Sequence, residues 1–242
     1  MVLALALHAA VAGFMALAFG AVAFDLLRRS RHSVAYLSWW LGGALSQLAV
    51  ALGLGLATFG ATPPALDAAL FLVFLSAGSL AAVGILTHMI HVFTGQQQGT
   101  VTVLLAGATL ATLASALAFA PGALTGNLAA TVPAQAPPDI ILSRALLGSA
   151  LIQQGLPLAA AFGFAGIAFG PLDARTRERV IFLAGALATW AAAGFLTTLT
   201  TLLVLPLAHA AALALTIVGA ALCAVCYKPP PWLARRVPAL AS

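Results

Sequence analysis

Apolar runs of bilayer-crossing length, separated only by short polar segments, recur along the whole chain, and this pattern constrains the fold more than any motif. A span needs roughly 20 apolar residues to cross about 30 Å of hydrocarbon. The runs are Leu3 to Leu27, Val34 to Phe59, Ala65 to Ile90, Val101 to Ala120, Ile140 to Phe169, Val180 to Leu203 and Leu207 to Tyr227. Water is absent from the bilayer core, so every backbone N–H and C=O there must be paired within the segment, and each run predicts a helix. The expected fold class is all-α: one integral membrane domain, residues 1–242, built as a seven-transmembrane-helix bundle. The weakest division lies in Val180 to Tyr227, which holds no charged residue. As a single helix that stretch would be about 70 Å long, so Pro206 is expected to open a second helix and make a hairpin.

Composition fits this reading. Of 242 residues, 63% are hydrophobic and 6% charged, against about a quarter charged in soluble domains. The net charge of +5 does not point to nucleic acid, because the basic residues cluster at the ends of apolar runs. Arg28, Arg29 and Arg31 follow the first run, Arg175, Arg177 and Arg179 the fifth, and Lys228, Arg235 and Arg236 the seventh. The positive-inside rule puts all three ends in the cytoplasm, so the N-terminus is expected outside and the C-terminus inside. Gly60 to Pro64 and Pro121 to Pro138 contain no Lys or Arg and fall outside; Arg144 is the one basic residue near an outer end. The first run has no positive n-region and is too long for a signal-peptide core, so it is expected to stay as a span. The expected location is a bacterial plasma (inner) membrane.

An internal repeat is a second expectation. Ala23-Phe24-Asp25-Leu26-Leu27-Arg28 resembles Ala168-Phe169-Gly170-Pro171-Leu172-Asp173, and Pro64-Ala65-Leu66-Asp67-Ala68-Ala69 lines up with Pro206-Leu207-Ala208-His209-Ala210-Ala211. Residues 3–90 would then match 140–227, with 101–120 as a linker helix.

No ionisable residue falls at mid-depth, where one would be a functional suspect. Asp25, Asp173 and Glu178 sit at cytoplasmic ends, Asp67 and Asp139 at outer ends, and Lys228 lies beyond the seventh run. A retinal Schiff base needs a lysine within that run, so retinal is not expected. The mid-depth polar residues are neutral: Ser46 and Gln47 on the second run, Gln153 and Gln154 on the fifth. Gly155 and Pro157 follow and allow a kink there. These side chains, with Trp190 on the sixth run, are candidates for a small polar ligand pocket. Read blandly, they are interhelical hydrogen bonds worth about 0.6 kcal/mol each. Gln153 and Gln154, about 100° apart on a helix, are expected not to face the same centre.

Residue type alone offers two metal sets. His88, His91, Cys223 and Cys226 form two i,i+3 pairs near the cytoplasmic side, and His8, Asp67 and His209 lie near the outer ends. Zinc accepts all these ligand types. The inner pairs differ in depth, and the outer three carry no spacing signature; His8 with His209 is the one pair placed to bracket a haem. Trp39 and Trp40, near the inner end of the second run, read as interfacial anchors. Phosphate-loop, HExxH and GxSxG signatures are missing from the sequence, and no enzyme activity is expected.

With these spans and the three-plus-one-plus-three pattern, the chain resembles the class of bacterial seven-helix proteins that share topology with microbial rhodopsins and SWEET-type sugar transporters. The stretches Leu37 to Leu54 and Phe182 to Leu199 are similar in texture to members of that class. The resemblance is topological: the rhodopsin lysine and the SWEET proline and asparagine pattern are missing, and no functional residue carries over. Apart from the resemblance, the expected function is a non-enzymatic membrane module, a small-ligand sensor or an accessory subunit of a membrane complex. The alternative is a facilitative transporter of a small neutral solute. The segment after Tyr227 is short and carries Pro229, Pro230 and Pro231, so signalling is expected to pass through other membrane proteins or a homo-oligomer.

Overall fold

The computed structural model describes residues 2–29, 33–60, 63–118 and 140–231, with side chains over 3–29, 33–60, 63–114 and 147–231. The segment Pro121 to Pro138, Asp139, Arg31, Arg235, Arg236 and the Arg144 side chain lie outside them. Eight helices are present among the described residues: α1 Val2–Arg28, α2 Val34–Thr58, α3 Pro64–Thr94, α4 Thr100–Ala118, α5 Ile140–Gln153, α6 Gly155–Ala168, α7 Ala174–Leu202 and α8 Pro206–Tyr227. No strand occurs among these residues. Six helices are long and apolar enough to cross a membrane, counting α5 and α6 as one broken rod. The remaining apolar helix, α4, has 19 residues.

Local chemistry sets the helix ends. Ser33 caps α2, its Oγ accepting from the Tyr36 N–H at 3.4 Å. Asp173 caps α7, accepting from the Thr176 N–H at 3.0 Å and the Thr176 hydroxyl at 2.6 Å. α3 stops at Gly95, whose φ of 70° is the left-handed conformation that glycine takes without a Cβ penalty. The expected hairpin at Pro206 is present, with Pro206 as the first residue of α8. The fifth run departs from a continuous helix. Pro157 has no N–H to give the Gln153 carbonyl, and the chain breaks at Gln154, with φ −112° and ψ −32°.

The rods form a ring. α1 packs on α2, α2 on α3, α3 on α5 and α6, those on α7, α7 on α8, and α8 returns to α1; α4 lies against α3 and α5. Lipid tails are as apolar as leucine, so helix association depends on close backbone approach and on polar contacts. Glycine supplies the approach: a Cβ on Gly42 would lie 2.6 Å from the Ala77 carbonyl oxygen, and one on Gly219 would lie 2.8 Å from the Trp190 backbone. Large apolar side chains such as Leu3, Leu17, Phe162, Phe169 and Leu207 face outward, while Ser46, Ser79, Ser149, Thr200, Thr201, His8 and His209 are buried. Apolar outside and polar inside is what a bilayer requires and what water would penalise.

Trp39 and Trp40 correct an expectation. Only 3% and 1% exposed, they are core residues and not interfacial anchors. Phe19 stacks against Trp39, Trp40 and Trp190 at centroid distances of 6.2, 5.1 and 5.2 Å, and Tyr36 and Tyr227 extend the cluster toward the end carrying Arg29. Gly43 leaves the space that the Phe19 ring fills.

Candidate functional site

A cavity of about 120 Å³ lies inside the ring, and every rod except α4 contributes to its wall. It is of the order of the ~150 Å³ engineered cavity that takes up benzene. Gln47, Gln153, Gln154 and Trp190 all line it, together with His8 and Ser149. Residues distant in sequence thus share one wall. The helix break explains how both Gln153 and Gln154 reach the same space: a regular helix would turn them about 100° apart, but Gln154 sits at the interruption between α5 and α6.

Both glutamines lie against glycines. A Cβ on Gly78 of α3 would meet the Gln153 amide at 2.5 Å, and one on Gly194 of α7 would collide with the Gln154 amide. The bundle is shaped to admit these two side chains. Yet Gln153 Nε2 and Gln154 Oε1 are buried and have no hydrogen-bond partner among the described residues. Buried polar groups are nearly always paired, and leaving one unpaired costs about 1–3 kcal/mol. A donor and an acceptor with no protein partner among the described residues therefore sit at the cavity wall.

A further part of the wall comes from α7, the helix whose Gly194 seats Gln154. Trp190, Gly194, Thr197, Thr198 and Thr201 recur at helical spacing along one face and all line the cavity. Their hydroxyl protons are already engaged: Thr197 donates to the Ala193 carbonyl at 2.8 Å, Thr198 to Gly194 at 3.2 Å and Thr201 to Thr197 at 2.9 Å. A hydroxyl that donates within its own helix keeps acceptor capacity. Thr197 and Thr198 can therefore still accept hydrogen bonds, Thr201 also lies 3.4 Å from His209 Nδ1, and the amides both donate and accept. Among the described residues the lining carries no carboxylate, Lys or Arg, and its chemistry suits a small neutral solute with hydrogen-bond donors. The run Thr197-Thr198-Leu199-Thr200-Thr201 was the available sequence signal for it.

Ser46 does not join the site. Buried on α2, its hydroxyl donates to the Phe74 carbonyl of α3 at 3.2 Å. The bland reading of interhelical hydrogen bonding describes this residue.

Neither metal set is gathered: no three His, Cys, Asp or Glu among the described residues come close enough to hold an ion. His91 shares a hydrogen bond of 3.3 Å with the Thr100 hydroxyl, while His88 stacks on Tyr36 at 4.6 Å. Cys223 is packed in the core, and Cys226 lines a separate cavity with His88. At the other end His8 and His209 do meet, without Asp67. His209 Nε2 and His8 Nδ1 share a 3.4 Å hydrogen bond, and His209 Nδ1 lies 3.2 Å from the Thr200 hydroxyl. Two imidazoles in direct contact leave no gap for a haem between them.

Comparison with protein families, with curated proteins and with solved structures finds no match to this chain.

Proposed function

We propose that this chain is a non-enzymatic seven-helix membrane module that senses a small neutral hydrogen-bonding solute in the cavity between its two halves. The observation that carries the reading is the pair of unpartnered glutamine amides, Gln153 Nε2 and Gln154 Oε1, each seated against a glycine that makes room for it. α4 is taken as the seventh crossing, since a helix of 19 residues reaches about 28 Å. The clusters at Arg28 and Arg29, at Arg175, Arg177 and Arg179, and at Lys228 favour a cytoplasmic placement for those ends, with the N-terminus outside, in a bacterial inner membrane. The occupied state is relayed to other membrane proteins or to a second copy of the chain.

Facilitated transport of the same solute is the second reading. It draws on one observation: the cavity is walled by α1, α2 and α3 from one half and by α5, α7 and α8 from the other. The buried aromatic cluster next to it favours sensing over passage, because Phe19, Trp39 and Trp40 fill the ring on the side of the basic loops.

The test is a thermal-unfolding titration of the chain in nanodiscs with acetamide, urea and glycerol, beside Gln153→Leu. A ligand that binds only the native state stabilises it by about 2.7 kcal/mol at one hundred times its Kd. The unfolding temperature of the unsubstituted protein should rise with one of these solutes while Gln153→Leu stays flat. Equal shifts in both proteins, or none in either, refute the site. Flux of the same solute into proteoliposomes would select transport.

A further inference from the structure

A second cavity, of about 350 Å³, opens at the end of the ring that carries the basic loops, and it shares no lining residue with the first. Its wall takes Leu26 from α1 and Arg29 just after it, the α2 cap Ser33 and Tyr36, His88 from α3, Arg179 from α7 and Tyr227 from α8. We propose that this mouth binds a phosphate-bearing anion, through Arg29, Arg179 and His88.

Three observations converge. The first is charge: Arg29 and Arg179 line this mouth and no carboxylate does so among the described residues, while Asp25 lies beside it within reach of Arg29 and Lys228. Asp25 is already committed, accepting from Arg29 Nη2 at 2.9 Å and from the Tyr227 hydroxyl at 2.6 Å. Arg179 has no ion pair among the described residues. The second is a buried orphan. His88 Nδ1 has no hydrogen-bond partner among the described residues, although its ring is fixed between Tyr36 and Phe164. The third is preorganisation. Arg29 is held from one side by Asp25 and from the other by the Tyr227 ring, 5.2 Å from its guanidinium carbon. Guanidinium groups match phosphate oxygens in geometry as well as charge, and an imidazole N–H adds a donor below them.

The same headgroup chemistry could come from a phospholipid or from a phosphate ester in solution. The wall is assembled from five rods around the axis of the ring, so the mouth faces the aqueous loops and not the lipid flank, and the dissolved anion is the proposed source.

Isothermal titration of the full chain in phosphatidylcholine nanodiscs with inorganic phosphate and with glycerol 3-phosphate tests this. Saturable binding is expected, weakened about tenfold or more in Arg179→Gln, the effect of losing a hydrogen bond to a charged group, weakened also in His88→Gln, and unchanged in Arg175→Gln. Arg179 and Arg175 are both exposed, so neither variant disturbs the core, and a monodisperse elution profile checks the fold of His88→Gln. If both phosphates are silent but phosphatidylglycerol is retained through purification in an Arg179-dependent way, the dissolved source is overturned in favour of the lipid. No binding of either kind, or equal weakening by Arg175→Gln and Arg179→Gln, overturns the site and leaves only diffuse attraction to basic loops.

Discussion

Two glycines on neighbouring helices separate packing from binding. Gly42→Ala on α2 places a methyl 2.6 Å from the Ala77 carbonyl oxygen and 2.8 Å from the Ala81 nitrogen, both backbone atoms of α3. Reaching an ordinary contact of 3.4 Å requires the two helices to part by up to about 0.8 Å. A gap of that size forfeits roughly a quarter to a half of each dispersion contact along the seam, and overpacking of this kind costs about 1–3 kcal/mol. At about 2–4 °C per kcal/mol for a chain of this length, the unfolding temperature should fall by roughly 2–12 °C. For Gly78→Ala on α3, the three atoms nearest the methyl all belong to the terminal amide of Gln153, the closest at 2.5 Å. That amide rotates away from the methyl, so the loss of stability should stay below about 1 kcal/mol, the scale of a tolerated core change. The solute-induced rise in unfolding temperature should nevertheless disappear, because the amide no longer occupies its place in the cavity. Thermal unfolding of both variants at one scan rate, with and without solute, reads both effects. If Gly78→Ala is as destabilising as Gly42→Ala, Gln153 is a packing residue and the binding argument fails.

Other perturbations give separable outcomes. Gln47→Leu should keep the unfolding temperature within a few degrees while reducing the solute response, and a large loss of stability would make Gln47 structural. Thr176 holds the Asp173 carboxyl below its ordinary value, by its side-chain hydroxyl first and its backbone N–H second. The capping contribution is then present in full above the ordinary value of 3.8 and is lost as pH falls through the lowered folded value. The stability difference between the unsubstituted protein and Asp173→Asn should shrink below that pH, and a difference constant across an acid titration would contradict the cap. A reporter active only in the cytoplasm should work when fused after Lys228 and fail when inserted at Gly126; activity at both places would overturn the proposed orientation.

The sequence made the helices legible because a bilayer enforces them. Long apolar runs and Pro206 were enough to locate them. The depths of Gln47 and Gln153 were also countable from the ends of their runs. Which way a side chain faces was not, because helices that are hydrophobic all round give no amphipathic stripe to orient them. Trp39 and Trp40 therefore read as interfacial although they are core residues, and the threonines of α7 do not by themselves say which way they face. An unbroken helix would turn Gln153 and Gln154 to different faces, whereas the local break brings both to the cavity wall. Gly78 and Gly194 gain their meaning only from the side chains opposite them, and no property of a single helix reveals that pairing.

The two cavities impose a condition on any sensing mechanism. Trp190 lines the inner cavity, and its ring lies 5.2 Å from Phe19, which lies 5.1 Å from Trp40; Trp40 in turn is 6.0 Å from Tyr36 on the wall of the second cavity. A contiguous series of packed rings thus joins the solute cavity to the basic mouth. Contiguity alone is not coupling. A solute shifts a conformational equilibrium only by its difference in affinity for the two states, so the cluster must have a second packing that the solute favours or disfavours. Gly43 and Gly219 mark where that packing has least freedom, since a methyl on the first would strike the Phe19 ring and one on the second the Trp190 backbone. By linkage, any change in phosphate affinity caused by the solute must be matched by an equal change in solute affinity caused by phosphate. Titrating each in the presence of the other should give the same factor, and two reproducible but unequal factors would show that the ring series does not couple these two sites as a simple equilibrium.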